Sequence, residues 1–481
     1  MNNRLNNVVR TRRDLLIRVA ALFRTGQLVQ QIDRIPLEIV PRTGDPTRCC
    51  TYKDRAVLKY RLMSILGFGV DDEADELTAL STYTAEALSR SDVPPHHPSV
   101  LDIACDACTR GSHRVTDVCR GCDARPCTTS CPKDAVTVVN GRATIDEEKC
   151  INCGLCAKSC PFHAIVYQPV PCEQACPVDA ITKDENGKIV IREEECISCG
   201  KCLTACPFAA VMDRSHMVDV LAALQRDRPV IAAVAPAGIG QFSAPFERLV
   251  TACRTLGFDQ VYEVAAGADE VARRESAELL ERLDGGAPFM TSSCCPAYTA
   301  AVERHFTELA PYVSHTPSPM VVSAEAIRAE QPDAMVVFVG PCLAKKREAR
   351  LSGVVDAVLS FEELGAMFVA HDIDVQECEE IDADCIGGTA GRGFPISGGV
   401  SSAVRAACAT TRAVQTHTID GIDADATRLL KGIGKNPQSP TVRPDGAEFI
   451  EVMACTGGCV GGPLAYGTAR AATRSVRQAV G

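Results

Sequence analysis

The cysteines constrain this chain more than any other feature, because sixteen of its 27 cysteines lie between Cys105 and Cys206. A chain of 481 residues is far too large to need disulfide staples. Thiols at this density indicate metal chemistry in a reducing compartment. The formal charge is −11 and no long basic tract is present, which argues against nucleic acid as a partner.

The spacing of these cysteines is regular and repeats along the chain. The pattern Cys-x2-Cys-x2-Cys-x3-Cys-Pro begins at Cys150 and again at Cys196, and an Asn-Gly turn signal precedes each run. The offset of 45 or 46 residues indicates an internal duplication. The pattern resembles that of bacterial ferredoxins, in which three cysteines of a run bind one 4Fe–4S cluster and the fourth binds its neighbour. Zinc, the alternative, uses paired Cys-x2-Cys or Cys/His units and needs no such runs.

Applied to this chain, the ferredoxin rule divides the sixteen cysteines into four groups of four. Three groups follow the rule directly, and the fourth is a hypothesis that combines two orphan cysteines with an upstream pair. A domain with four clusters, predicted over residues 101–212, conducts electrons rather than catalysing a reaction. The first group is Cys119, Cys122, Cys127 and Cys160; the second is Cys131, Cys150, Cys153 and Cys156; the third is Cys176, Cys196, Cys199 and Cys202; the fourth is Cys105, Cys108, Cys172 and Cys206.

Residues 1–100 read as a helical region that ends at a proline-rich linker over residues 94–98. Cys49 and Cys50 fit no ligand pattern and are assigned a packing role. Arg12 and Arg13 faintly resemble an export signal, but the charged residues that follow favour an amphipathic helix. A linker helix is expected over residues 213–228, no membrane span is found, and a cytoplasmic protein is expected. One face of the first helix carries Leu15, Leu16, Val19, Leu22 and Phe23.

From residue 229 onward, predicted strands alternate with helices, and three apolar runs end in thiols. The runs lead to the Cys294–Cys295 pair, to Cys342, and to Cys455 with Cys459. In an open α/β sheet, ligands bind at the carboxyl ends of the strands. Three strands of one sheet would therefore point these thiols at one crevice. The alternative is a glycine-rich turn that holds buried structural cysteines.

The three segments resemble the three signatures of the FeFe-hydrogenase family. They read Ser292-Ser-Cys-Cys-Pro296, Pro341-Cys-Leu-Ala-Lys-Lys-Arg-Glu348 and Glu451-Val-Met-Ala-Cys-Thr-Gly-Gly-Cys459, in the order of that family. The resemblance covers residues 100–481. It implies an α/β catalytic domain over residues 229–481, with parallel sheets in two lobes around a buried cluster site, behind duplicated α+β ferredoxin-like domains. The helical N-terminus is similar to the monomeric, ferredoxin-rich branch, which is group B-like.

This resemblance implies an H-cluster, in which a 4Fe–4S cubane is joined through a thiolate to a two-iron unit with CO, cyanide and azadithiolate. Cys295, Cys342 and Cys455 would bind the cubane, and Cys459 would bridge to the iron pair. Lys345 would bond a cyanide, with Pro236 and Met453 bordering the cofactor. A proton path would use Cys294, Glu275, Ser318 and Glu278. From sequence alone, glutamates one helical turn apart are more often a solvated surface.

The implied reaction is the reversible combination of two protons and two electrons to H2. Ferredoxin or flavodoxin would exchange the electrons, and dedicated maturases would build the two-iron unit of a monomeric enzyme. An H2-sensing protein of low turnover and an iron–sulfur carrier without the iron pair are the alternatives. Ser292, Tyr298, Gly340 and Ala237 depart from the residues usual in the family, and such changes affect the rate rather than the ligands.

Overall fold

The N-terminal part of the chain is helical, as the sequence predicts. A computed structural model describes residues 6–73, 75–95, 98–108, 110–439 and 442–481, so residues 96 and 97 of the predicted linker lie outside the described residues. Short 3-10 turns occur over Ile32–Arg34 and Val70–Asp72. The helices are α1 (Asn7–Arg24), α2 (Leu28–Gln31), α3 (Ile35–Ile39), α4 (Thr51–Ile65) and α5 (Leu80–Ser89).

The cysteine-rich part consists of two-stranded antiparallel sheets and short helices. Its sheets pair β1 with β8, β2 with β5, β3 with β4 and β6 with β7. The elements are β1 (Ser99–Val100), β2 (Ser112–Val115), α6 (Pro126–Thr129), β3 (Val136–Val139), β4 (Arg142–Ile145), α7 (Leu155–Ser159), β5 (Ile165–Gln168), α8 (Pro171–Ala175), β6 (Ile181–Lys183), β7 (Ile189–Ile191), α9 (Lys201–Ala205) and β8 (Val211–Met212).

The backbone of this part repeats with the offset seen in the sequence. Asn152 and Ser198 both adopt a left-handed conformation, with φ of 55° and 53°. Gly154 and Gly200 do the same at 73° and 74°, and each immediately precedes a short helix. Left-handed residues at matching places let each cysteine run fold back on itself in the same way.

The C-terminal part is α/β, and its strands form two parallel sheets. The four-stranded sheet has the order β10-β9-β12-β13, and the three-stranded sheet has the order β11-β15-β14. Strands β9, β12 and β15 are buried along their whole length. The strands are β9 (Val230–Val234), β10 (Gln260–Glu263), β11 (Met290–Thr291), β12 (Met335–Val339), β13 (Ala357–Leu359), β14 (Thr416–Asp420) and β15 (Phe449–Met453).

Helices cover both sheets, and 3-10 turns occur over Pro236–Gly238, Thr307–Tyr312, Pro444–Gly446 and Cys459–Gly461. The helices are α10 (Met217–Ala223), α11 (Phe246–Leu256), α12 (Val264–Asp284), α13 (Pro296–His305), α14 (Pro319–Glu330), α15 (Ala344–Ser352), α16 (Phe361–Ala370), α17 (Thr389–Gly393), α18 (Gly399–Cys408), α19 (Ala424–Lys435) and α20 (Ala469–Val480).

Two expectations need correction. The three thiol-terminated strands do not share one sheet, because β11 and β15 lie in the three-stranded sheet and β12 lies in the four-stranded sheet. The linker helix spans only Met217–Ala223, since Asp213 is drawn into an ion pair with Lys346 at 2.6 Å. None of the helices in the described residues has the length and apolar character to cross a membrane.

Helix α1 packs on α16, which joins the N-terminal region to the C-terminal part. Leu15, Leu16, Val19 and Phe23 are buried and Leu22 is half-buried, so the predicted apolar face of α1 is confirmed. The two arginines that faintly resemble an export signal lie at this interface. Arg12 and Arg13 both pair with the buried carboxylate of Glu362 on α16, at 2.5 and 2.9 Å.

Candidate metal centre

A buried cavity lies where three strands end. Beyond β11 come Cys294 and Cys295, beyond β12 comes Cys342, and beyond β15 come Cys455 and Cys459. All five thiols line this one cavity. The carboxyl ends of strands from two parallel sheets therefore supply one site, as expected for ligand sites in α/β folds.

The loop between Cys455 and Cys459 depends on glycine. Gly458 has a φ of +86°, and a Cβ atom there would lie 2.5 Å from the carbonyl oxygen of Pro395. Only glycine combines that conformation with so close an approach of two backbones. The glycine in the third signature thus brings the Cys459 loop against the loop at Pro395.

Burial controls the chemistry of these thiols. Burial raises the pKa of Cys342 to about 11, and the neighbouring Cys295 raises it further. Burial raises the pKa of Cys459 to about 12, with further contributions from Cys342 and Cys295. Burial also raises the pKa of Cys294 and Cys455 well above the ordinary range. As free thiols, these four cysteines keep their protons at neutral pH, and binding of a metal centre displaces the protons from those that become its ligands.

Lys345 is the only charged residue among the described residues that line the cavity. Its Nζ donates to Oε2 of Glu348 at 2.7 Å and to Oγ of Ser318 at 2.8 Å, and lies 3.5 Å from the carbonyl oxygen of Cys294. Burial alone would lower the pKa of Lys345, but the carboxylate of Glu348 outweighs burial and raises it. The wall of the cavity therefore carries a permanent cation suited to an anionic ligand.

The remaining wall is apolar and includes both Pro236 and Met453, the two residues predicted to border a cofactor. Pro236 begins a 3-10 turn directly after β9, and Met453 is the last residue of β15. Five thiols, one cation and an apolar wall fit an iron–sulfur centre with uncharged or anionic small ligands.

A line of polar groups leads from the cavity to the protein surface along α12. Oε1 of the fully buried Glu275 accepts hydrogen bonds from the backbone N–H and the hydroxyl of Ser293, at 3.1 and 3.2 Å. One turn later, Glu278 accepts a hydrogen bond from Oγ of Ser314 at 2.7 Å. The hydroxyl of Ser314 also interacts with Glu275, so it lies between the two carboxylates.

Ser318 does not take the place predicted for it on this line. Its hydroxyl accepts a hydrogen bond from Lys345, whereas Ser314 connects the two glutamates. The family resemblance pointed to Ser318 because a proline follows it, and the sequence carried no signal for Ser314. The position of Ser314 depends on tertiary structure, because a β-bridge between Thr291 and Val313 places the segment that holds Ser314 beside β11.

The two glutamates differ in their proton affinity. Burial raises the pKa of Glu275 to about 7, opposed by hydrogen bonds from Ser293 and Ser314. Burial also acts to raise the pKa of Glu278, but hydrogen bonds from His315 and Ser314 and the charge of Arg282 outweigh it and lower the pKa. The outer glutamate is therefore ionised, beside a His315 side chain that is 83% exposed.

In the first two predicted groups, a buried cysteine lies close to other cysteines of its own group. Burial raises the pKa of Cys127, and the nearby Cys160 and Cys122 of the first group raise it further. Burial raises the pKa of Cys156, and the other three members of the second group are close enough to raise it further. By contrast, hydrogen bonds from the backbone of Ala143 and Gly121 lower the pKa of Cys119.

The third and fourth groups show the same arrangement. Burial raises the pKa of Cys199 to about 12, with Cys196 and Cys176 close enough to contribute. Burial raises the pKa of Cys172 to about 11, and the nearby Cys206 contributes to this rise. Burial, Cys105 and Cys206 together raise the pKa of Cys108. The orphan thiols of the second repeat are thus brought beside the upstream pair.

The third group lies close to the fourth group and to the cavity. Cys202 of the third group is influenced by Cys172 of the fourth. Cys199 of the third group lines the cavity and acts on the pKa of Cys455. Within the described residues, no three His, Cys, Asp or Glu side chains converge on a single metal ion. A cubane differs from a single ion because its four thiolates stand around a larger body.

The fold and the site define an iron–sulfur protein in which a five-thiol centre adjoins a cysteine-rich region. Residues 228–463 match the C-terminal domain of the iron-only hydrogenase large subunit. Residues 143–166 match a 4Fe–4S binding domain, and residues 166–217 match the LdpA Fe–S cluster-binding domain. Through its C-terminal domain, the chain belongs to the FeFe-hydrogenase family.

Two curated hydrogenases agree with this assignment. Iron hydrogenase 1 from Clostridium pasteurianum is 32% identical over 387 residues, which cover 69% of this chain and 66% of that protein. The NADP-reducing hydrogenase subunit HndD from Solidesulfovibrio fructosivorans is 27% identical and covers 52% of each chain. The chain thus spans about half to two thirds of the length of these curated relatives. A variant of apo FeFe-hydrogenase HydA1 from Chlamydomonas reinhardtii is 25% identical with a TM-score of 0.46, over 56% of this chain and 88% of its own.

Proposed function

We propose that the chain is a hydrogenase that interconverts H2 with protons and electrons at an H-cluster. The observation that carries this proposal is the cavity itself, which is lined by five thiols and Lys345. The H-cluster, when bound, supplies the redox centre at which protons and electrons combine. Cys295, Cys342 and Cys455 would hold its cubane, and Cys459 would join the cubane to the two-iron unit.

Protein side chains would orient the rest of the cofactor. Lys345 would donate to a cyanide, since its ammonium is buried and already fixed by Glu348 and Ser318. Pro236 and Met453 would shield the iron pair from water with apolar surface. Exclusion of water strengthens the electrostatic interaction between the lysine and an anionic ligand.

Proton movement would use Cys294, Glu275, Ser314 and Glu278, with Ser314 in place of Ser318. Oε2 of Glu275 is buried and has no hydrogen-bond partner among the described residues, so it can accept a proton from the Cys294 thiol. A pKa of about 7 lets Glu275 take up and release that proton near neutral pH. The hydroxyl of Ser314 would then pass a proton to Glu278, which lies beside the exposed His315.

Electrons would pass through four accessory 4Fe–4S clusters bound by the four cysteine groups. The third group would exchange electrons with the H-cluster, because Cys199 lines the cavity. We further propose a monomeric, group B-like cytoplasmic enzyme that uses ferredoxin or flavodoxin and needs maturases. Its regions would be a helical region (1–100), a ferredoxin-like domain (101–212), a linker (213–228) and the catalytic domain (229–481).

The test is H2 evolution from reduced methyl viologen by the full chain, produced anaerobically with H-cluster maturases. The proposal predicts turnover that is lost in Cys455→Ser, which removes a cubane ligand. A two-iron unit that is complete but does not turn over would favour an H2-sensing protein. A chain that fails to acquire the two-iron unit would favour an iron–sulfur carrier.

A further inference from the structure

Arg61 is a buried cation that its protein neighbours only partly satisfy. It lies on α4, in the N-terminal helical region, and is 7% exposed. Its Nη2 donates to the carbonyl oxygen of Phe208 at 3.1 Å. Its Nε is buried and has no hydrogen-bond partner among the described residues. A buried guanidinium with an unused donor is costly unless an anion lies beside it.

The nearest carboxylate is already engaged by another arginine. Asp54 accepts from Nη1 of Arg48 at 2.9 Å and from the backbone N–H of Thr47 at 2.7 Å. Arg48 also donates to the carbonyl oxygen of Phe208, at 3.3 Å. Two guanidinium groups therefore converge on one carbonyl, which concentrates positive charge at this point.

The fourth cysteine group lies close to this charge. Phe208 follows Cys206 by two residues, and Cys206 interacts electrostatically with Arg61. The sulfur of Cys206 accepts a hydrogen bond from the backbone of Ala210 at 3.4 Å. A cluster on four thiolates is anionic, and its negative charge grows by one when it is reduced. Nearby cations and N–H donors stabilise the reduced form most.

We propose that Arg61 is a positioning residue for the fourth-group cluster, donating its Nε–H to a sulfur of that cluster and raising its reduction potential. Arg48, which donates to the same Phe208 carbonyl, adds its positive charge to this effect. The N-terminal helical region thereby sets the potential of a cluster whose ligands all lie outside it. This inference rests on the proposed cluster binding by the fourth group, and it does not depend on H2 turnover.

The test is a redox titration, followed by electron paramagnetic resonance, of the full chain carrying its 4Fe–4S clusters but no two-iron unit. We expect Arg61→Met to lower the midpoint of one cluster and leave the others unchanged. At a fixed ambient potential, its ratio of reduced to oxidised cluster should fall about tenfold, which for one electron is about 59 mV. Arg61→Lys keeps the charge but loses Nε, so its shift should be smaller.

Arg55→Met is the matched control, because Arg55 lies on the same helix and, within the described residues, donates only to the backbone carbonyl of Val40, at 2.9 Å. It should shift no midpoint. Unchanged midpoints in both Arg61 variants, with the iron content of the wild type, would overturn the inference. Iron content four atoms short in the wild type would instead count against cluster binding by the fourth group.

A second measurement decides the matter if Arg61→Met fails to assemble. In protein labelled with 15N at the arginine Nε, pulsed resonance of the reduced clusters should detect a weakly coupled 15N that disappears in Arg61→Lys. A wild-type spectrum without that coupling would overturn the hydrogen bond. Because neither experiment involves H2, their outcome is separate from that of the hydrogenase assay.

Discussion

At the scale of single residues, the site depends on which hydroxyl lies between two carboxylates. Ser314 and Ser318 are four residues apart, yet one contacts Glu278 and the other contacts Lys345. In the proposed function, the first contact serves a proton path and the second orients a cation. Substitution of each serine should therefore disturb a different property of the protein.

Ser314→Ala should slow H2 turnover by about 10²-fold, the usual contribution of a group that transfers a proton. The infrared bands of the cofactor should stay in place, because Ser314 does not line the cavity. Ser318→Ala is the matched control and should shift the cyanide bands while keeping most of the turnover. The assignment fails if Ser318→Ala proves the slower enzyme and leaves the bands unmoved.

Glu275 should make the stability of the chain depend on pH. Its pKa in the folded protein is about 7, raised by burial above the ordinary 4.5. The unfolded chain therefore ionises first, so wild-type stability falls as pH rises from about 4.5 and levels off above about 7. Glu275→Gln cannot ionise and should gain about 2 kcal/mol relative to wild type between pH 5.5 and pH 8.

Thermal unfolding of both proteins over this pH range measures the difference. If the difference in the free energy of unfolding between wild type and Glu275→Gln stays constant with pH, Glu275 is ionised in the folded protein throughout this pH range. In that case Glu275 could not hold a proton near neutral pH, and its place in the path would be lost.

Gly340 shows why a departure from the family pattern is tolerated here. A Cβ atom at this position would lie 2.7 Å from the ring of Phe338, and that ring lines the cavity. The volume that a larger side chain would need is thus occupied by the ring of Phe338. A second departure, Tyr298, is accommodated by a hydrogen bond. Its side chain is fully buried, and its hydroxyl donates to Oγ1 of Thr291 at 2.9 Å.

At the scale of elements, α1 is held by a buried ion pair as well as by its apolar face. Glu362 is 2% exposed and pairs with both Arg12 and Arg13. Removal of both cations leaves a buried carboxylate uncompensated, which costs about 3 kcal/mol. Arg12→Ala/Arg13→Ala should therefore speed hydrogen exchange in α1 by about 100-fold.

Arg10→Ala is the control for this prediction, because Arg10 lies on the exposed face of the same helix. It should leave exchange in α1 unchanged. Equal protection in the double variant and the control would show that the apolar contacts of Leu15, Leu16 and Val19 are sufficient to dock α1.

Local sequence predicts elements well where burial is simple and poorly where tertiary contacts decide. The strand Val230–Val234 is found as predicted, because a continuous apolar run between helices has few alternatives. The helix expected over 213–228 shrinks to Met217–Ala223, since Asp213 and Ser215 are used to bind Lys346 and the backbone of Ser64. The division of the strands between two sheets also depends on pairing that no local pattern contains.

The positions of the thiols were more predictable than the polar path. Cysteine spacing reports directly on cluster geometry, so the groups around Cys156 and Cys199 could be predicted from the chain alone. Ser314 and the orphan donor of Arg61 carry no such spacing. Both owe their positions to segments distant in sequence.

At the scale of the whole molecule, the third cysteine group would be the junction between the proposed electron path and the cavity. Cys199 lines the cavity, and Cys202 of the same group lies near Cys172 of the fourth group. Loss of the third cluster should therefore isolate the catalytic site from the other clusters while leaving the site intact.

Cys199→Ser should abolish the rapid reduction of the remaining accessory clusters by H2, measured by freeze-quench resonance. The infrared bands of the cofactor should persist, since Cys199 is not one of its proposed ligands. Cys378→Ser, which removes a thiol outside all four groups, should behave as wild type. Rapid reduction in Cys199→Ser would show that electrons enter by another route.

The most direct test of the central claim is an infrared spectrum of the full chain matured anaerobically. An H-cluster in this cavity predicts bands from iron-bound CO and cyanide, and their loss in Cys459→Ser, which removes the proposed bridging thiolate. Protein that carries its full complement of 4Fe–4S clusters, was made with competent maturases and still lacks those bands would contradict the account.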